Sequence, residues 1–207
     1  MIAIVNYGMG NLRSAQMALE HVGATVEVTS DHDLIRSAEA IVLPGVGAFP
    51  KAMDAIARLG LDTLIAERHE ADVPILGICL GMQLLFESSS ELGGAAGLGL
   101  LPGTVEPLDA RGLKVPQIGW NEVAWRRSTP LNHGLPQRSA MYHVHSFAPR
   151  PADPGMMIGS ATYGTEFATA VARGRLFGVQ FHPEKSSEHG LHLLRNFVHA
   201  GALATAA

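Results

Sequence analysis

Two short stretches carry residues that could do chemistry together. The first is Gly77-Ile78-Cys79-Leu80-Gly81, which follows an apolar run and precedes a helical pattern. It is the cysteine form of the nucleophile elbow G-x-S-x-G. A tight strand-to-helix turn of this kind forces the nucleophile into an unusual backbone conformation and exposes its sulfur. Glycines on both sides let neighbouring chains approach. The helix N-terminus favours thiolate over thiol and offers the Leu80 amide to an oxyanion. The competing reading is a buried small hydrophobe, a common fate for free cysteine. Glycines at this spacing favour the nucleophile.

A thiolate nucleophile needs a histidine, and the histidine needs an acceptor that fixes its tautomer. The chain has ten histidines, so the residue type alone says little. His182-Pro183-Glu184 says more, because it follows the apolar run Leu176–Phe181. In an extended segment, residues two apart point the same way. His182 and Glu184 are therefore expected side by side at a strand's end, with Pro183 restricting the backbone between them. Without Cys79, an exposed loop with an incidental His and Glu would be the better reading.

These residues need elements to hold them. Ile2–Val5 reads as a buried strand that ends at Gly8 and Gly10. Asn11 can cap a helix with apolar positions Leu12, Ala15, Leu19 and Val22, ended by Gly23. Strands are expected at Thr25–Thr29, at Ala40–Leu43 (stopped by Pro44-Gly45-Val46-Gly47) and at Val73–Ile78. Helices are expected around Lys51–Leu59, Asp62–Glu70 and Met82–Glu87. Such alternation predicts an α/β fold: a doubly wound, flavodoxin-like sheet covered on both faces. Residues 88–103 are rich in Gly and Ser and read as a loop. The second half is strand-rich, with stretches near 104–108, 113–125, 140–147, 156–162, 167–173 and 176–181. A last amphipathic helix is expected around Ser187–His199, then a frayed tail, Ala202–Ala207. No repeat or linker divides the chain, so 1–207 reads as one domain.

Composition bounds the function classes. With 207 residues, 47% hydrophobic and 16% charged, the chain is globular and needs no disulfide or metal to hold a core. A net charge of −4 with no long basic run leaves no electrostatic footprint for nucleic acid or an anionic membrane. The N-terminus lacks a signal-peptide pattern, and no apolar run approaches a membrane span. Cys79 is the only cysteine, so no intrachain disulfide is possible. A soluble cytoplasmic protein is expected.

With both motifs in hand, the chain resembles the class I glutamine amidotransferases over essentially its whole length. Gly-Ile-Cys79-Leu-Gly-Met-Gln and Phe-His182-Pro-Glu184 are similar to that family's triad segments, in its chain order. Asn6–Leu12, Leu43–Phe49, Val115–Asn121 and Gln180–Ser186 further resemble the family of glutaminase subunits of imidazole glycerol phosphate synthase, an enzyme of histidine biosynthesis. The resemblance implies a glutamyl thioester on Cys79, with His182 as acid and base and Glu184 as its orienter. It implies an oxyanion hole from Leu80 and from the turn that includes Val46 and Gly47. Gln83, Gly45, Tyr142, His145 and Ser146 would contact glutamine. Asn11, Trp120 and Asn121 would face a (β/α)8-barrel cyclase subunit, the partner that takes the ammonia. The resemblance calls for no cofactor and no metal. Phe147 departs from the Tyr often found at that place, and it is assigned no role.

Other readings remain to be weighed. Gly8-Met9-Gly10 opens a helix after a strand, as a dinucleotide fingerprint does, but Arg13 stands where the third glycine belongs. The His143-x-His145 pair could suggest a metal, but no second cysteine or carboxylate cluster accompanies it. A γ-glutamyl hydrolase acting alone would use the same triad, yet has no obvious use for the N-terminal stretch or the one around Trp120. A non-catalytic scaffold would not need an intact Cys79, His182 and Glu184.

Overall fold

The computed structural model describes residues 1–202. The first half alternates strand and helix. β1 (Ile2–Val5), α1 (Leu12–His21), β2 (Val26–Thr29), α2 (His32–Ser37) and β3 (Ala40–Gly45) come first. They are followed by α3 (Phe49–Arg58), α4 (Leu61–Glu70), β4 (Ile75–Cys79) and α5 (Leu80–Leu84). The second half is mostly strand: β5 (Phe86–Ser89), β6 (Ala95–Ala96), β7 (Leu101–Pro107), β8 (Gln117–Trp125) and β9 (Arg138–His145). Then come β10 (Phe147–Pro151), β11 (Met157–Tyr163), β12 (Thr165–Arg173), β13 (Leu176–Val179) and the closing helix α6 (Ser187–Ala202). The frayed tail expected at 202–207 lies, past Ala202, outside the described residues.

The main sheet has nine strands in the order β2-β1-β3-β4-β13-β12-β11-β8-β9. β2, β1, β3, β4 and β13 run parallel, and the remaining pairs are antiparallel. The parallel part is buried on both faces, because crossover helices cover it. Side chains alternate accordingly. Ala3 and Val5 of β1 and Ile41 and Leu43 of β3 join the core that holds α2, α3 and α4. Ile2, Ile4, Ala40 and Val42 face the opposite core, with Leu19 of α1 and Phe197 of α6. A second sheet, ordered β10-β7-β5-β6, stands beside the first.

Several local expectations change. β3 does not stop at Pro44: it runs through Gly45, whose Cα pairs in register with Cys79. Proline is tolerated there because β1 accompanies β3 only as far as Val42, which leaves Pro44 with a paired strand on one side alone. The helix after the nucleophile starts at Leu80 and spans five residues, and 86–89 is already strand. The Gly/Ser-rich stretch 88–103 holds the end of β5, β6 and the start of β7. Asn11 occupies the N-cap position of α1 but makes no capping bond; its φ −86°, ψ 62° lies off the extended conformation that aims a capping side chain at the first turn. Among the described residues, no helix is long and apolar enough to cross a membrane.

Candidate active site

Cys79 is the last residue of β4, at the sheet's carboxyl edge, where ligands bind in open α/β sheets. Its backbone sits at φ 56°, ψ −113°, a region that non-glycine residues rarely occupy. Such a conformation costs on the order of 1–3 kcal/mol and persists only where the surroundings dictate it. The surroundings here are the two glycines. A Cβ on Gly77 would lie 2.7 Å from Gly81 O and Met82 N. A Cβ on Gly81 would lie 1.7 Å from Leu43 O. Only bare backbone lets α5 press this closely on β3 and β4.

A cavity of about 260 Å³ opens over the sulfur. Val46, Gly47, Cys79, Leu80, Gln83 and His182 contribute to its lining, as do His145, Ser146 and Phe147 from the β9–β10 junction. Leu80 begins α5, so its N–H has no partner within the helix, and the residue itself lines the cavity. Gly47, at φ 107°, lets the Val46–Gly47 backbone turn sharply toward the same space.

His182 is buried and its Nδ1 lies 2.8 Å from Glu184 Oε1, also buried. The pair forms differently from the expected continuous strand. β13 ends at Val179, and Pro183–Lys185 makes a single 3-10 turn that swings Glu184 back under the imidazole. Pro183 starts such a turn readily, since its missing N–H is one that a first turn leaves unpaired. Burial pulls the His182 pKa down. Hydrogen bonding to Cys79 and to Glu184, with the charge of both, overcomes that and pushes it up to about 9. The imidazole is thus held protonated at neutral pH, beside a sulfur.

The neighbouring histidines are of the other kind. His143 is pushed down to about 3, chiefly by burial and then by the charge of His145. His145 is pushed down to about 4 by burial, against its bond to Phe147 O. Both rings are neutral and fully engaged. His143 donates from Nδ1 to Met141 O, and its Nε2 lies 2.7 Å from Thr169 Oγ1. His145 donates from Nδ1 to Phe147 O at 2.8 Å, and its Nε2 lies 2.9 Å from Gln117 Oε1, where the neutral ring accepts a bond once the Gln117 amide is turned to present its nitrogen.

Two expected glutamine contacts, Gly45 and Tyr142, fall outside the cavity lining. Gly45 lies beneath the cavity, not on its wall; a Cβ there would sit 2.3 Å from the Tyr7 hydroxyl. Tyr142 is outside the lining. Its N–H donates to Ser186 Oγ (2.9 Å) and its carbonyl accepts from His182 N–H (2.8 Å), so it braces the turn that carries the base. Asn11 is half-buried and borders a small cavity of about 10 Å³ beside His182 and Glu184. Asn121 donates its amide to Thr162 O within the sheet. Trp120, by contrast, is 56% exposed, as is Ile118 (61%) two residues before it on the same face of β8. The Gly8-Met9-Gly10 turn, weighed above as a dinucleotide fingerprint, packs on the protein in part: Met9 Cε approaches Gly47, while Gly8 is exposed.

Sequence reasoning missed Glu91, Val144, Lys185 and Gln180. Glu91 enters the lining from the stretch read as a loop, and its Oε2 accepts from Phe49 N–H. The Cys79 thiol donates to Val144 O at 3.6 Å. Lys185 is on the rim. Gln180 lies behind the sulfur, and both it and Lys185 belong to the Gln180–Ser186 segment that flagged the triad histidine.

The Glutamine amidotransferase class-I profile matches residues 3–200. The imidazole glycerol phosphate synthase subunit HisH of Moorella thermoacetica is 52% identical over 196 residues, covering 95% of this chain and 93% of the relative. The HisH subunit of Pseudomonas putida is 50% identical over 204 residues, covering 95% and 96%. Among solved structures, PurLQS from Thermotoga maritima superposes with a TM-score of 0.76 over 96% of this chain and 97% of that one, at 22% identity, which speaks to the fold alone. The chain belongs to the class I glutamine amidotransferase family, among the HisH subunits of imidazole glycerol phosphate synthase.

Proposed function

We infer that the chain hydrolyses glutamine to glutamate and ammonia and passes the ammonia to a (β/α)8-barrel cyclase subunit. The observation that carries this is the meeting of Cys79 and His182 on one cavity, with Glu184 bonded to the far side of a protonated imidazole. Cys79 Sγ, its proton held by His182, attacks the side-chain carboxamide of glutamine. The oxyanion takes hydrogen bonds from the Leu80 N–H and from the Val46–Gly47 turn. His182 gives its proton to the departing ammonia, leaving a thioester, and then takes one from the water that cleaves it. Glu184 keeps His182 oriented. Glu91, the carboxylate in the lining, suits the α-ammonium group of glutamine, and Gln83 and the 145–146 backbone suit the rest. Glu91→Ala is expected to raise KM for glutamine with kcat little changed; an unchanged KM would remove it from that role.

The exposed Ile118 and Trp120 suit a partner surface near the cavity mouth. A sealed interface is chemically useful, because ammonia released into neutral water is protonated and lost as a nucleophile. We place the complex in the cytoplasm, where a nucleophilic thiol stays reduced.

The test is glutamate release by the chain alone and with the cyclase subunit plus its nucleotide ligand. Low basal activity and a strong rise with the liganded partner are expected, because the Val46–Gly47 peptides can rotate about the glycine between inactive and oxyanion-binding positions. Full-rate hydrolysis by the chain alone would discard the assigned partner and keep the nucleophile.

The pH profile follows from His182. Its raised pKa means that the proton needed by the leaving ammonia is present below about pH 9 and lost above it. In the complex, kcat/KM should therefore fall on an alkaline limb near pH 9. Glu184→Gln removes the carboxylate that helps hold the charge, so the limb moves to lower pH. A limb that stays put in this variant would dissociate Glu184 from the titration.

A further inference from the structure

Gln180 has no part in the mechanism above, yet it is fully buried and bonded to the two groups on which that mechanism turns. Its position follows from β13. The strand ends at Val179, and the next residue still donates its N–H to Thr169 O at 2.8 Å, which anchors Gln180 against β12. The side chain then runs inward beneath the cavity floor.

The orientation of the amides there is dictated by one backbone atom. Phe147 O can only accept. It takes the Nδ1–H of neutral His145 at 2.8 Å and an N–H of Gln83 at 3.1 Å. That fixes the Gln83 amide with its nitrogen toward Phe147. The second N–H of the same nitrogen reaches Gln180 Oε1 at 3.0 Å. Gln180 must therefore present its nitrogen on the other side, and Nε2 lies 3.8 Å from Cys79 Sγ. The chain of bonds is self-consistent from His145 to the sulfur; His145, Gln83, Gln180 and Cys79 are buried and Phe147 is partly so. Both donors of Gln83 are used within the protein, which leaves its carbonyl oxygen for the cavity.

We propose that Gln180 is a positioning residue with two separable tasks: its NH2 donates to the Cys79 sulfur, and its carbonyl holds Gln83 with the acceptor oxygen turned to the substrate. This rests on the reading of Cys79 as nucleophile and Gln83 as a substrate contact. A donor aimed at the sulfur favours its anionic form and limits its rotation. A fixed acceptor on Gln83 selects a ligand that offers an N–H or ammonium group there.

Two variants divide the tasks. Gln180→Met keeps length and removes both bonds. Gln180→Glu keeps an acceptor for Gln83 and puts a carboxylate oxygen where the donor to sulfur stood. In the complex with the cyclase subunit, Gln180→Met is expected to lower kcat about tenfold and to raise KM about tenfold, the scale of one lost hydrogen bond in each case. Gln180→Glu is expected to lower kcat at least as far while KM stays within about threefold of wild type. The readout that a merely structural role would not move is the rate at which iodoacetamide alkylates Cys79 in the full-length chain. Because Cys79 is the only cysteine, that rate is unambiguous. It should fall severalfold in both variants, normalised to folded protein. An alkylation rate in Gln180→Glu equal to that of wild type overturns the proposal whatever happens to kcat. So does a tenfold rise in KM in both variants, the pattern of a disturbed cavity. Should Gln180→Met fail to fold, Gln180→Glu decides alone by the same two criteria. A wild-type complex that releases no glutamate would sink the glutaminase reading, while the alkylation comparison would still decide Gln180.

Discussion

Replacing Cys79 by alanine is expected to bring glutamate release by the complex down by at least about 10⁴-fold, roughly 5 kcal/mol of transition-state stabilisation. On the mechanism proposed above, the sulfur is the atom to which the glutamyl group becomes bonded, and the chain holds no second cysteine to take its place. The oxyanion donors and the bound geometry survive the change, but they have nothing to stabilise without an attacking atom. The fold should survive as well. The 3.6 Å contact to Val144 O, the 3.8 Å contact from Gln180 and the bond to His182 are lost, and alanine meets the same backbone strain at φ 56° that cysteine does. The cyclase subunit proposed as partner would have its own chemistry. Turnover of the variant complex with added ammonium salt should therefore stay near wild type while turnover with glutamine disappears. The check is to run both nitrogen sources on one preparation. Residual glutamine-dependent turnover above about 1% of wild type would mean that another group attacks the carboxamide. Loss of both activities would mean that Cys79 matters to the assembly and not to the chemistry.

That the nucleophile was legible in the sequence at all reflects how local its constraints are. Gly77, Cys79 and Gly81 lie within five residues, and each glycine is required by a contact of backbone on backbone that no side chain could share. The parallel half of the sheet was legible for a related reason. β1, β3 and β4 are buried on both faces and read as short unbroken apolar runs. What escaped was structure that depends on distant partners. Phe86–Ser89 looks like the end of a helix until β7 supplies its ladder. Ser and Gly in 88–103 signal a loop, but that segment has to put Glu91 into the cavity wall and close a small second sheet. His182 and Glu184 were paired for the wrong local reason: a proline-started 3-10 turn brings them together, not strand alternation. Tyr142 was placed on the right strand, but its value lies in two backbone bonds to 182 and 186, which no pattern along the chain encodes. Gln180 is the plainest case. A glutamine in an apolar strand is an anomaly in the sequence, and only the packing of 83, 147 and 79 around it gives it a partner for each end of its amide.

Gly81→Ala should be among the most damaging single changes the chain can suffer. The added methyl would lie 1.7 Å from Leu43 O and 2.7 Å from Leu43 C, with no flexible side chain available to move aside. Leu43 is in β3, hydrogen-bonded in register opposite Gly77 of β4, so the obstacle is the centre of the sheet. Relief requires α5 to lift away from β3 by more than an ångström. The first residues of α5 carry the Leu80 N–H, and Cys79 directly precedes them, so the displacement moves nucleophile and oxyanion donor together. A shift of that size costs about 10²-fold in rate by misplacement alone. Backbone overlap in a close-packed core belongs to the rare class of substitutions worth more than about 4 kcal/mol. For a chain of this length, that amounts to a fall in Tm of roughly 10 °C or more. The comparison that isolates the clash is Gly174→Ala. Gly174, unlike Gly81, has positive φ (58°), and a Cβ there meets nothing within 4 Å. It should lose only the cost of left-handed backbone, about 1–2 kcal/mol, and keep its activity. Thermal melts and glutamate release on the two variants side by side check this. A Gly81→Ala chain that melts within about 3 °C of wild type would mean that α5 can stand off the sheet at little cost, and that the elbow is held by something other than the approach of its backbone to Leu43.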